Sequence, residues 1–299
     1  MFRATAPVRR PAPAGADGPH GTPGPAPAAV LPRLIRAGAH TPPGPGAPYR
    51  PEAAREDFYR ELGALYGADF DREQFAASGR RTSVELAHGA LDALGPLTAE
   101  ECPEVVVVAY SAPDFDHAEL VASCVKGRLP GEPLSFALSD QGVLAPFSAL
   151  RVAVEYARRC GWSRLLLLVV DQGTQPFPLP ATGQGAVHAD AAVALLIHWD
   201  GGDAPLGGAA QGLPEPALFA GWDTSAALVT GSGLSDGCAE LPTHGGPWTK
   251  VAAGQPATGG WAALLAAADR DRPVVVADYD RERGFLAYCT LDTGELGVR

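Results

Sequence analysis

Five stretches of the chain are apolar almost without interruption: "EVVVVAY" (104–110), "RLLLLVV" (164–170), "AAVALLI" (191–197), "PVVVA" (273–277) and "GFLAYCTL" (284–291). A strand with one wet face alternates polar and apolar residues, whereas a continuously apolar, β-branched run suits a strand covered by helices on both faces. Between these runs apolar positions recur every three or four residues, which predicts helices near 116–127, 145–160 and 259–269. Two further helices precede the first run. "PEAAREDFYRELGALYG" (51–67) starts at Pro51, sets Phe58, Leu62 and Leu65 on one face and stops at Gly67. "TSVELAHGALDALGP" (82–96) places Thr82 and Glu85 at capping-box spacing, repeats Val84, Ala87, Leu91 and Leu94 on one stripe and ends at Gly95-Pro96. Strands and helices in alternation predict an α/β fold.

The same pattern divides the chain. Residues 1–28 are proline-, alanine- and glycine-rich with too little apolar bulk to offset the entropy of ordering, and predict a flexible extension. Residues 29–200 form the longer half, which opens with a short strand and a Pro/Gly loop over 30–46. "DGGDAPLGGAAQGLPEP" predicts a linker over 201–216, and 217–299 a shorter half with a weak strand pair near 217–230, one helix and two final strands.

Composition narrows the partners. With 34 acidic against 23 basic residues, the formal charge of -11 argues against nucleic acid, whose phosphates require clustered Lys and Arg. No run reaches the roughly 20 apolar residues that span a bilayer, and no apolar stretch follows Arg9 and Arg10 as a secretory leader requires, so the expected compartment is the cytoplasm. The five cysteines, Cys102, Cys124, Cys160, Cys238 and Cys289, are scattered and make no metal-ligand spacing; the expectation is reduced, mostly buried thiols, no metal and no cofactor.

One segment asks a chemical question. "FALSDQGVLAPFSALRVAVEYARRC" (136–160) runs from a strand end through a polar bend into a long helix, and sharp bends of this kind often present a nucleophile. Here the tip reads Asp140-Gln141-Gly142, with no cysteine between Cys124 and Cys160. The helix carries Phe147, Leu150, Val154 and Ala157 on one stripe and Arg151, Glu155 and Arg159 on another, while Arg158, Arg159 and Arg164 gather basic charge in an acidic chain.

The order of elements and several strings resemble the thiolase-fold ketosynthases, most closely the ketoacyl synthase III branch. "LIRAGAHTPPG" resembles the opening strand and loop, "ASGRRTSVELAHGALDAL" the approach to the first long helix, and "EVVVVAYSAPDFDHAELVASCVKGRLPG" the strand, turn and helix before the nucleophile. "SFALSDQGVLAPFSALRVAVEYARRCGWSRLLLLVVDQGT" resembles the nucleophile strand, its buried helix and the next strand, and "VHADAAVALLIHW" a further strand start whose glycines are replaced. From Trp248 to Leu291, Lys250, Gly254 and Gly259-Gly260 resemble the matching stretch of chain-length factors. The resemblance implies a five-layer αβαβα thiolase-like fold built of two pseudo-repeated halves, the second shortened, and a dimer paired through the sheet edge near the nucleophile strand.

Such an enzyme needs a thiolate at a helix N-terminus and two donors that hold a thioester enolate. The resemblance places the nucleophile at Gln141 to Val143, with Gly142 at its centre, the first donor on the loop Thr230-Gly231-Ser232-Gly233, and the second at Gln255. None of these residues has the required chemistry, although chain-length factors and some decarboxylating ketosynthases also carry Gln in place of the cysteine. The expected role is therefore a non-catalytic partner of an active ketosynthase in polyketide or fatty-acid-type biosynthesis, as a heterodimer, with self-pairing and an acyl carrier protein as further partners. The alternative is a divergent acyltransferase, thioesterase or decarboxylase acting on acyl thioesters, for which Ser139, Cys238 and His244 are the candidate residues. In a purely structural role, Gln141 caps the helix and His244 is a polar loop residue.

Overall fold

The computed structural model describes residues 28–111, 114–177, 184–235, 241–268 and 271–297. In chain order the elements are β1 (Arg33–His40), α1 (Ala53–Tyr66), α2 (Arg72–Ala77), α3 (Ser83–Leu94), β2 (Val105–Tyr110), α4 (Val121–Arg128), β3 (Leu134–Leu138), α5 (Ala145–Cys160), β4 (Arg164–Asp171) and β5 (Ala191–His198). There follow β6 (Ala209–Gly212), β7 (Ala227–Thr230), α6 (Ser232–Ser235), β8 (Trp248–Lys250), α7 (Gly259–Ala267), β9 (Val274–Asp280) and β10 (Phe285–Leu291).

The strands make two five-stranded sheets, ordered β1-β5-β4-β2-β3 and β6-β10-β9-β7-β8. In the first, β2 runs parallel to β3 and β4, while β5 is antiparallel to β4 and β1. In the second, β7 runs parallel to β8 and β9, while β10 is antiparallel to β9 and β6. Order and direction repeat strand for strand, so the molecule is one motif used twice, the second copy about half as long.

Burial explains the layering. Val105, Val107 and Ala109 of β2 face the same core as Phe147, Leu150 and Val154 of α5, Trp261 and Leu264 of α7, and Val274 and Val276 of β9. The alternate residues Val106 and Val108 face α3 and α4 on the outside. Both faces of the central strands are thus dry, which is why their sequences show no polar alternation. On the far side of the second sheet, Val275, Ala277, Leu286 and Tyr288 are covered by Trp222, Phe219 and Leu218, most of them from a 3-10 turn over Pro216–Gly221, and by Leu234 of α6. Five layers result, the last reduced to a turn and a four-residue helix.

The Thr82–Glu85 capping box forms in both directions, and Gly67 terminates α1 in the left-handed region at φ 67°. The face expected for α1 is corrected. Phe58 and Leu65 are exposed, and Tyr59 and Glu56 are buried instead. Tyr59 packs among Phe70, Phe75 and Phe115 and donates its hydroxyl to the Phe115 carbonyl, while Glu56 accepts from Tyr49, Arg60 and Arg72. An aromatic cluster and a paired carboxylate outweigh the apolar spacing.

The 201–216 stretch contains β6, which pairs with β10, so it completes the second sheet rather than merely linking the halves. Of the strand pair expected near 217–230 only β7 forms, and α4 begins at Val121 rather than 116. Cys102, Cys124 and Cys160 are half-buried and only Cys289 is fully enclosed among the described cysteines, which corrects the expectation of buried thiols. The expected extension over 1–28 lies, apart from its last residue, outside the described residues.

Candidate functional site

The bend between β3 and α5 is built from two left-handed residues flanking an ordinary one. Asp140 has φ 63° and Gly142 φ 52°, with Gln141 between them at φ -113°. An aspartate tolerates this region better than most residues and glycine does so freely, so the sequence Asp-Gln-Gly is what the turn geometry requires. A 3-10 turn over Gly142–Leu144 then leads into α5, whose Pro146 sits in the first turn. Gln141 occupies the cap position but makes no side-chain capping bond, which corrects its reading as a helix cap.

The β9–β10 hairpin covers this bend. Arg283 donates to the Asp140 carbonyl at 2.9 Å and to Asp280 Oδ2 at 2.6 Å. A side chain at position 142 would point between the Asp280 carboxylate and the Arg283 guanidinium, within 3.4 and 3.5 Å of them. Beneath the bend, Val143, Phe147, Gly231, Ala257, Trp261 and Asp278 line a pocket of only about 10 Å³. The Phe147 and Trp261 rings, 5.3 Å apart, fill the space between the two central helices.

The structure therefore brings Val143, the residue after Gly142, and Gly231 to one small pocket. Asp278 is the polar group that controls it. Its Oδ1 accepts from the Gly233 N–H at 3.0 Å and the Tyr279 N–H at 2.8 Å. A Cβ at Gly231 would run into this carboxyl and one at Gly233 into the Tyr279 carbonyl, which is why glycine stands at both places. Burial pushes the Asp278 carboxyl up to about 7, against the opposing pull of the backbone N–H groups it accepts.

A second carboxylate works at the start of α7. Asp171, fully buried at the end of β4, accepts from the Ala257 N–H, the Thr258 N–H at 2.7 Å and the Thr258 hydroxyl at 2.7 Å. Burial raises its pKa despite these bonds. Gln255 lies one turn before this helix; its carbonyl accepts from the Gly259 N–H at 3.0 Å, and its neighbours Pro256 and Ala257 rather than its own side chain reach the enclosure.

The remaining candidates separate. Ser139 is half-buried at the bend and donates its hydroxyl to Asp140 Oδ2 at 2.5 Å. His244 stands beside Gly246 and Ala226 at the start of β7, the opposite end of that strand from Gly231, and both ring nitrogens are buried without a hydrogen-bond partner among the described residues. Cys238 lies outside the described residues. No group of His, Cys, Asp and Glu among the described residues is placed to hold a metal ion, and none of their helices is long and apolar enough to cross a membrane. Sequence reasoning missed Asp171, Asp278, Asp280, Arg283 and Trp261. The available signal was a carboxylate ending an apolar run, in "RLLLLVVD" and "PVVVADYD".

Two repeated mixed sheets around a shared helical layer define a thiolase-like α/β fold. A solved 3-oxoacyl-(acyl-carrier-protein) synthase III is similar over 88% of this chain and 100% of its own, with TM-score 0.58 and 14% identity. The synthase III of Pseudomonas aeruginosa PAO1 matches 90% of this chain and 100% of its own at TM-score 0.54 and 14% identity. The priming β-ketosynthase of the R1128 polyketide pathway matches 90% and 98% at the same TM-score and identity. At such identity the likeness is one of fold. No protein-family model and no curated protein sequence matches the chain.

Proposed function

We propose that the chain is a non-condensing, chain-length-factor-like member of a ketosynthase pair, in which an active ketosynthase supplies the chemistry. The observation that carries this reading is the small size of the pocket beneath the bend. A cavity of about 10 Å³ is at the lower limit for one water and has no room for an acyl chain. Glycine at 231 and Gln255, with its side chain outside the enclosure, provide no donors for an enolate.

Co-expression with the ketosynthase encoded nearest to this chain tests the reading: the two are expected to co-purify and to gain solubility together. A chain that is indifferent to that ketosynthase argues against it. The chemical half of the reading has its own test. After incubation of the Val143→Cys variant with acetyl- and malonyl-thioesters, intact-mass spectrometry is expected to find no acyl adduct, because position 143 lines the pocket of about 10 Å³ and a thiol there does not open it. An adduct, or turnover by the unmodified chain, favours the acyltransferase, thioesterase or decarboxylase reading instead. For that alternative the Ser139–Asp140 contact is the supporting feature.

A further inference from the structure

An open groove runs between α5 and the stretch that leads into β6. Val152, Tyr156, Leu206 and Ala209 give it an apolar wall, and its volume is about 780 Å³. Tyr156 is 40% exposed, although its ring lies 5.5 Å from that of Phe136. Arg158 at the rim is fully used, pairing with Glu155 at 2.6 Å and donating to the Asp203 carbonyl at 2.9 Å. Arg151 and Arg159 also line the groove, but they are exposed and have no partner among the described residues. They stand about 12 Å apart along the helix, with Tyr156 between them.

The described chain enters beside this groove. The Val30 N–H donates to the Pro205 carbonyl at 3.1 Å, and the Val30 carbonyl accepts from the Gly207 N–H at 2.7 Å. Val30 is thereby fixed against Pro205 and Leu206 of the groove wall. The string "TPGPAP" (22–27), which ends just before Ala28, lies outside the described residues. It resembles "TPPGPGAP" (41–48), and the fold shows how the protein holds that second stretch. Arg81 donates to the Gly44 and Pro45 carbonyls at 3.2 and 3.1 Å, and Arg80 to the Ala47 carbonyl at 2.9 Å. Proline lacks an N–H and favours an extended backbone whose carbonyls have no internal partner. In such a backbone, carbonyls four residues apart are separated by about 12 Å, which matches the two free arginines. Residues 11–27 contain no Lys or Arg, so two guanidiniums do not repel them.

We propose that residues 22–27 lie along this groove of their own chain, with prolines against Tyr156 and carbonyls accepting from Arg151 and Arg159. Proline-rich segments dock in aromatic-lined grooves because little chain entropy remains to be lost and the prolyl rings stack on apolar faces. Tethering favours this occupant over a second copy or a separate peptide. A segment joined to its site by a few residues meets it at an effective concentration of about millimolar, so a groove affinity of about 100 micromolar leaves only about a tenth of the chains open. The inference concerns a contact within one chain and does not rest on the pairing reading above.

Arginine labelling of the full chain tests the proposal. With phenylglyoxal and peptide mapping, Arg151 and Arg159 are expected to react about tenfold faster in a P23G/P25G/P27G variant than in the wild-type chain. Arg50, exposed and outside the groove, is expected to react alike in both. The protection in the wild-type chain is expected to persist on about hundredfold dilution, because the cover belongs to the same chain. A fluorescent peptide of residues 18–28 is expected to bind the variant at least about tenfold more tightly than the wild-type chain, and to lose that binding when Tyr156→Ala is added. Unchanged thermal midpoints confirm that each variant is folded. Equal labelling of Arg151 and Arg159 in the two chains, or equal binding of the peptide by both, overturns the proposal. Protection that vanishes on dilution overturns it too and assigns the groove to a second copy. Co-purification with a ketosynthase is read separately, so either reading can fail without the other.

Discussion

The two central helices start in the same architectural position, and the protein treats the two starts differently. At α7, Asp171 from the end of β4 reaches across the molecule and occupies the free backbone donors of Ala257 and Thr258, wholly out of water. At α5, the carboxylate ending the corresponding strand of the other half is Asp280, and it pairs with Arg283 instead of with the helix. The first junction is a clasp that holds the halves together. The second is a glycine-containing bend near the surface, covered by an arginine that is 44% exposed. A carboxylate holds the helix start in one copy of the repeat, while in the other it pairs with the arginine that covers the bend.

Removing the filler of the shared layer should have the largest effect. Trp261→Ala is expected to lose about 3–5 kcal/mol of stability in urea titration, because the ring is enclosed between α5 and the second sheet. Cutting the clasp follows. Asp171→Ala leaves two N–H groups and one hydroxyl buried without an acceptor and is expected to cost about 3 kcal/mol, with Asp171→Asn milder since it keeps one acceptor oxygen.

The third test uses pH. Asp278 titrates near 7 in the folded protein against 3.8 unfolded, so between those values the unfolded chain has released a proton that the folded chain retains. Its contribution to stability is fully present below about pH 4, falls as pH rises toward 7 and is level above that. Asp278→Asn keeps the Oδ1 acceptor and is expected to flatten this slope in denaturation series run from pH 4 to 8. The smallest effect belongs to the covered bend. Arg283→Ala is expected to cost less than about 1 kcal/mol, as for partly exposed ion pairs, yet to speed hydrogen exchange around Asp140–Val143. If Arg283 proved as costly as Asp171, the two junctions would be equivalent and the contrast would fail.

Much of the architecture was legible. The five apolar runs became β2, β4, β5, β9 and β10, the capping box formed, and the buried stripe of α5 was that read from Phe147 to Ala157. What escaped was set by contacts distant in sequence. β6 has no strand signal in "AAQG" and forms because β10 offers it an open edge. Glu56 is buried because Arg72, Tyr49 and Arg60 converge on it, holding its pKa down to about 2, and no spacing rule for apolar residues anticipates a buried carboxylate.

At the site, the chain showed the polar bend and the missing thiol, since both are matters of residue identity. It did not show that Trp261 and Phe147 would close the space behind the bend, or that Arg283, far along the chain, would cover it. Local patterns fix which segments become strands and helices because period and burial are properties of neighbouring residues. The size of a cavity and the pairing of charges depend on where separate elements meet, and only the folded repeat decided those.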